Sequence, residues 1–237
     1  MKGFILAAGL GTRLSSLNLN VPKVMVPIGG KPLLEHHLKL FCAQGIRDIG
    51  INLHFMPQTI QDYFSDGNRF GVQITYSYEP NLLGTAGALR KMKNWVGGES
   101  VIVFYGDNLT RIQFAPLLEL HREKKSKITL ALYESCEPWT GGVVETDESG
   151  RVISLVEKPE KDFCRSNTIS SGIFILDPLV LDLIPDHTFS DFGRDIFPEV
   201  IRKGIPFYAV KSNVYIQDIG TPERYQKAQE DFSQWRE

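Results

Sequence analysis

The sequence predicts an α/β protein: a central mixed, mostly parallel sheet with helices on both faces. Three observations point there. Strand-like and helix-like segments alternate through the first half of the chain. Strands become denser in the second half, which is the signature of a mixed sheet. The opening apolar run passes directly into Gly9-Leu10-Gly11, and in such sheets the ligand site forms at the carboxyl ends of the strands.

The elements follow in order. Residues 2–7 read as a strand. Leu33, Leu34, His37, Leu38, Leu40 and Phe41 recur at helical spacing over 32–43, and Gly45 ends that helix. Residues 46–53 form a second strand, 57–65 a short amphipathic helix and 72–78 a third strand. Helices over 85–94 and 114–124 flank a buried strand at 100–105, and 127–134 is a further strand. Two strands at 142–146 and 151–157 surround a turn at Glu148-Ser149-Gly150. Beyond them come a strand at 171–176, helices at 177–184 and 193–203, strands at 206–210 and 213–217, and a closing helix over 221–234.

Composition excludes several classes. The 237 residues suffice for one large α/β domain or two small ones. Hydrophobic content of 42% and charged content of 23% are ordinary for a globular protein. A net charge of −2 gives no electrostatic footprint for nucleic acid. No apolar run spans a bilayer, and the N-terminus lacks a signal peptide, so the expected setting is the cytoplasm with no membrane partner. Cys42, Cys136 and Cys164 lie far apart, and neither they nor the five histidines show metal-ligand spacing.

The glycine loop carries the chemistry. Glycines let the backbone approach a phosphate with its amides pointed inward. Arg13 and Lys23 supply two cations on the same segment, and Pro22 stiffens the approach to Lys23. The loop matches neither common phosphate motif. Leu14 stands where the dinucleotide fingerprint needs a third glycine, which disfavours a dinucleotide-dependent oxidoreductase, and no Gly-Lys-Ser/Thr follows for a P-loop.

The run Leu6-Ala-Ala-Gly-Leu-Gly-Thr-Arg-Leu14 with Pro22-Lys23-Val-Met-Val-Pro27 resembles the signature of the sugar-nucleotide pyrophosphorylases. These nucleotidyltransferases join a sugar 1-phosphate to a nucleoside triphosphate. The resemblance covers about residues 2–231 and implies one Rossmann-like α/β/α nucleotidyltransferase domain over 1–237. It implies no C-terminal left-handed β-helix, and it leaves a homodimer open. By the same resemblance Arg13 and Lys23 are catalytic, while Leu6, Ala8, Gly9, Gly11 and Thr12 bind the nucleotide.

The later motifs fall in the family's order. Glu79-Pro-Asn-Leu-Leu-Gly84-Thr85 resembles the base-reading segment. A carboxylate accepts both the N1–H and the exocyclic amine of guanine, whereas uracil or thymine offers only N3–H, so Glu79 favours GTP. Asp107 follows the apolar strand Val101-Ile-Val-Phe104, a fitting place for Mg²⁺. The family's Gly-Asp makes it a metal ligand, and the late Asp218-Ile-Gly220-Thr-Pro222 segment implies Asp218 as the second. Val156-Glu157-Lys158-Pro159 resembles the sugar-phosphate clamp, with Glu157 for hydroxyls, Lys158 for the phosphate, and Gly142 and Ser170 beside them.

Three departures gather at the sugar site. Ser170-Ser171-Gly172 replaces Asn-Ala-Gly, Gly141 replaces a tyrosine, and Ile216 replaces a tryptophan. The expected activity is therefore a Mg²⁺-dependent transfer from GTP to a sugar 1-phosphate, with mannose 1-phosphate first and heptose 1-phosphate next. A uridylyltransferase acting on glucose- or N-acetylmuramate-type phosphates is a further alternative. A non-catalytic sugar-nucleotide-sensing subunit is disfavoured because Arg13, Lys23, Asp107 and Asp218 are all present.

Overall fold

A computed structural model describes residues 1–9, 11 and 20–235. Thr12 and Arg13 lie outside the described residues. In chain order the elements begin with β1 (Lys2–Leu6), β2 (Pro27–Ile28), β3 (Lys31–Pro32), α1 (Leu33–Ala43), β4 (Asp48–Leu53), α2 (Pro57–Phe64) and β5 (Gln73–Tyr78). They continue with α3 (Gly84–Lys91), α4 (Lys93–Val96), β6 (Val101–Tyr105), β7 (Asn108–Thr110), α5 (Ala115–Glu123) and β8 (Ile128–Glu134). The rest are β9 (Gly142–Thr146), β10 (Val152–Glu157), β11 (Thr168–Leu176), α6 (Phe197–Arg202), β12 (Phe207–Lys211), β13 (Ile216–Asp218) and α7 (Pro222–Ser233). This is the mixed α/β fold that the alternating pattern predicts.

The chain divides into two compact units. The first comprises Lys2–Leu82, Tyr105–Arg111 and Tyr215–Glu237. In it β4 lies between β1 and β5, parallel to both, with Phe4 opposite Gly50 and Ile49 opposite Ile74. Parallel neighbours need a crossover, and α1 and α2 supply it. Phe4, Ile5, Ile49 and Ile51 are fully buried, as near-continuous apolar strands are when covered on both faces. A separate ladder pairs β13 with β7, antiparallel, with Asp218 opposite Asn108 and Ile216 opposite Thr110. Val26, Ile28, Leu33, Leu109, Ile219 and Ala228 form the core beneath that ladder.

The second unit comprises Met1, Leu83–Phe104 and Ile112–Val214. Here β11 is the axis: it pairs antiparallel with β6, β8 and β9, and β9 continues into the β10 hairpin. Strand β12 adds to β8 in parallel. The register of β11 on β8 shifts between Ser170 and Phe174, around Gly172 at φ +71°. That bulge hands the strand from β9 to β6 and makes β11 longer than the predicted 171–176.

Several predicted helices are built differently. The segment over 85–94 is two pieces, because Met92 N donates to Leu89 O and closes α3. Residues Pro178–Leu183 form a 3₁₀ helix capped by Asp177. The segment over 193–203 opens as a π turn, Phe192–Ile196, before α6 begins at Phe197. Pro198 lies in the first turn of α6, where its missing N–H costs nothing. The hairpin β2–β3 and strand β7 are too short for any periodicity to show. Among the described residues no helix is long and apolar enough to cross a membrane.

Phe174, Phe192, Phe197 and Phe207 pack ring against ring, with Phe174 to Phe192 centroids 4.9 Å apart and edge-on. This cluster fixes the π turn against β11. Phe174→Ala removes its fully buried centre. It is expected to cost about 3–5 kcal/mol of stability, read as a lowered denaturation midpoint in urea.

Candidate active site

The first unit assembles a cation between two carboxylates. Lys23 opens a short 3₁₀ turn after Pro22 and is buried. Its Nζ donates to Asp107 Oδ2 at 2.5 Å and lies 3.5 Å from Asp218 Oδ1. The two aspartates are 111 positions apart in sequence. The β13–β7 ladder brings them together, and Ile219 N donates to Asp107 O at 3.0 Å just beyond its last pair.

The aspartates are held from several sides. Gly106 N donates to Leu6 O, and a Cβ at Gly106 would lie only 2.6 Å from that oxygen, so the Gly-Asp turn must be glycine to pack on β1. Gly220 N donates to Asp218 Oδ1 at 2.6 Å. Arg224, in the first turn of α7, donates from Nη1 to Asp218 Oδ2 at 2.7 Å. Thr221 caps that helix, its Oγ1 accepting from Arg224 N. Arg224 was missed in the sequence reading. The only signal was its place one turn into a helix that starts right after Asp218.

His37 supports the same turn from α1. Its Nε2 donates to Asn108 O at 2.8 Å, next to Asp107. Burial pushes its pKa down to about 4, against the pull of that backbone hydrogen bond.

The glycine loop is described in part. Leu6 closes β1, Ala8 follows it in the loop, and Gly9 is exposed with open space where a Cβ would stand, among the described residues. Gly11 takes φ +63°, a left-handed conformation that favours glycine, and a Cβ there would face Lys23 Cβ at 3.5 Å. Ala7 N donates to Asn52 Oδ1 at 2.8 Å, and Asn52 Nδ2 donates to Glu79 Oε1 at 2.8 Å. Glu79 is thus buried and tied through Asn52 to the entry of the loop. Asn52 is a second missed residue; a polar side chain at the end of the apolar run Ile49-Gly-Ile-Asn52-Leu53 was the available signal.

The second unit gathers the predicted sugar-site residues. Glu157 pairs with Gly142 across β10 and β9. Its carboxylate is half-buried, and among the described residues no hydrogen-bond donor reaches it; Lys158 Nζ stands 3.9 Å from Oε1. Burial raises its pKa, opposed by Lys158, and Asp191 adds to the rise. Lys158 holds a left-handed backbone at φ +49°, with its N donating to Gly141 O, and its side chain is exposed. Ser170 Oγ accepts from Gly172 N at 3.2 Å and so braces the bulge.

Gly84 and Thr85 dock α3 onto the segment ahead of the π turn. Ala86 N and Gly87 N both donate to Ser190 O, and a Cβ at Gly84 would meet that oxygen at 2.3 Å. Thr85 Oγ1 donates to Asp191 Oδ2 and accepts from Phe192 N. Asp191 Oδ1 accepts from Gly193 N and Arg194 N. Asp191 was also missed, though an aspartate two residues before a glycine at a helix start is a recognisable cap.

The nucleotidyl transferase family model matches residues 2–234. The chain belongs to this family. It is 37% identical over 96% of its length to a UTP–glucose-1-phosphate uridylyltransferase of Synechocystis, and spans 62% of that relative. It is 33% identical to a D-glycero-alpha-D-manno-heptose 1-phosphate guanylyltransferase of Aneurinibacillus thermoaerophilus, over 99% of this chain and 100% of the relative. Among solved structures, HddC of Yersinia pseudotuberculosis complexed with GMP-PN superposes with a TM-score of 0.82 at 30% identity, covering 98% of this chain and 99% of that one. The expected resemblance to the sugar-nucleotide pyrophosphorylases therefore holds along nearly the whole chain. Family substrates are a nucleoside triphosphate and a sugar 1-phosphate, and members generally use a divalent metal.

The donor set fits such a metal. Among the described residues no group of three or more acidic, His or Cys side chains could hold an ion. Mg²⁺ does not need one, since it is commonly bound by one or two carboxylates plus substrate phosphates and water. Lys23 Nζ already shows that a cation stands between Asp107 and Asp218.

His37 supplies a pH signature for this nucleotidyl transferase. Its folded pKa lies below 6.5, so the unfolded chain takes up the proton first. Stability tied to neutral His37 is complete above pH 6.5 and is lost as pH falls toward about 4. Melting temperature is expected to drop through that window, and less steeply in His37→Gln; parallel profiles would contradict the assignment.

Proposed function

We propose that this chain is a sugar-1-phosphate guanylyltransferase whose acceptor is a manno-configured sugar 1-phosphate, with the heptose phosphate and mannose 1-phosphate as the leading pair. The observation that carries the reaction is the Lys23 ammonium held between Asp107 and Asp218. The full-length match to a heptose 1-phosphate guanylyltransferase and the carboxylate of Glu79 support the substrate choice.

In this reading a phosphate oxygen of the sugar 1-phosphate attacks the α-phosphorus of GTP. The new P–O bond forms as the bond to the β-phosphate oxygen breaks, and pyrophosphate leaves with the electron pair. The nucleophile is already anionic, so no general base is needed, and catalysis reduces to positioning and charge neutralisation. Asp107 and Asp218 would hold Mg²⁺, which would supply charge neutralisation on the triphosphate. Lys23 stands beside them to meet the reacting phosphates, and Arg13 meets the triphosphate. The loop residues Leu6, Ala8, Gly9, Gly11 and Thr12, with Glu79, Gly84 and Thr85, hold the nucleotide. Glu157 accepts sugar hydroxyls, Lys158 neutralises the sugar phosphate, and Gly142 and Ser170 line the same place.

Two experiments test this. A matrix of four triphosphates against mannose, heptose, glucose and N-acetylmuramate 1-phosphates, read by pyrophosphate release, is expected to show GTP with a manno-configured acceptor as the fastest pair. Faster UTP or dTTP would remove the Glu79 argument. Lys23→Ala and Asp107→Ala are each expected to lower turnover about 10²–10³-fold, some 3–4 kcal/mol of barrier, by analogy with oxyanion-site donors. Near-normal turnover in a folded variant would sink the mechanism.

A further inference from the structure

We propose that Gly193 is a specificity-determining residue: its missing side chain is what lets the Glu157 carboxylate stand where it meets the sugar hydroxyls. This rests on the reading of Glu157 as the sugar's hydrogen-bond acceptor. Gly193 belongs to a segment that the sequence analysis treated only as a helix.

Two glycines press on one oxygen. A Cβ built at Gly142 would lie 3.0 Å from Glu157 Oε2, and one built at Gly193 would lie 3.0 Å from the same atom. Neither glycine has the positive φ that would call for glycine on conformational grounds. The backbone at both places suits any residue, so what a side chain would crowd is the neighbouring carboxylate, which would have to shift by a few tenths of an ångström. That carboxylate is half-buried and lacks a protein donor among the described residues. Partial burial without a partner costs stability. A pair of ligand hydroxyls removes that cost, as donors to an acceptor-only group.

The two glycines are not equivalent. Gly142 lies in the β9–β10 ladder, where a Cβ would make only ordinary contact with Ser170 and Leu155. Gly193 is flanked by a backbone that cannot retreat. Gly193 N and Arg194 N are both held by Asp191 Oδ1, and Phe192 N is held by Thr85 Oγ1. Phe192 is anchored in the phenylalanine cluster. When a methyl is added at Gly193, the part free to yield is the end of the Glu157 side chain. Stability is then spared while the acceptor is re-aimed. The residue therefore governs which hydroxyl arrangement is accepted on the sugar 1-phosphate, and it leaves the triphosphate untouched.

The test is steady-state kinetics on the full chain with Gly193→Ala, Glu157→Ala and the double variant, with melting temperature alongside. Gly193→Ala is expected to raise KM for the preferred sugar 1-phosphate about tenfold, to change the ranking among sugar phosphates, and to leave KM for the triphosphate within about twofold. In the Glu157→Ala background the same substitution is expected to add less than about twofold, because its target is gone. Glu157→Asp, which withdraws the carboxylate from Gly193 without altering the backbone there, is expected to shift the sugar ranking as well. An unchanged sugar KM and ranking in Gly193→Ala would overturn the proposal, as would an equal loss with and without Glu157. A wild-type sugar KM in Glu157→Ala would instead overturn the reading of Glu157 on which it rests.

Discussion

Everything in the first unit answers to one constraint: two carboxylates must stand close enough to share one cation. Like charges at that range repel and need compensation. The chain supplies the compensation with Lys23 between them and Arg224 behind Asp218. Backbone donors complete the arrangement at Gly220 and Ile219, while His37 holds the Asp107 turn from below. Remove the short β13–β7 ladder and these groups have no reason to meet, because the aspartates come from distant parts of the chain.

The cation does double duty. A buried ammonium is costly unless paired, so in the free protein Lys23 satisfies both acids. When triphosphate and metal are bound, the same ammonium stands beside the reacting phosphates in the proposed reaction.

The second unit follows the opposite policy around Glu157. That carboxylate is partly buried, Lys158 Nζ stands 3.9 Å away, no hydrogen-bond donor reaches it among the described residues, and glycines press close on it. A fold optimised for stability alone would fill the space or pair the charge. The Thr85–Asp191 contact adds a mechanical link, since the start of α3 and the turn carrying Gly193 are held by the same pair of side chains. The segment expected to contact the nucleotide and the segment beside the sugar carboxylate therefore share one support.

Much of this protein was legible in the order of its residues. The strands β1, β4, β6 and β8 show as apolar runs because burial on both faces demands them. The glycine loop, the Gly-Asp turn and the Glu-Lys-Pro segment show because each is a short motif contiguous in sequence. The elements that escaped are β7 and the hairpin β2–β3, too short for a periodicity to show, and the π turn at Phe192–Ile196, which reads as ordinary helix. Asn52 and Asp191 escaped because each acts on a partner from another part of the chain, whereas Arg224 acts on Asp218 just before its own helix and escaped only because nothing local marks it. The order of residues by itself pointed to the family, because its short motifs are contiguous in sequence. Only the tertiary structure decided that Lys23 bridges Asp107 and Asp218, and that Gly142 and Gly193 meet over one carboxylate oxygen, because proximity between distant residues is created by strand pairing and packing.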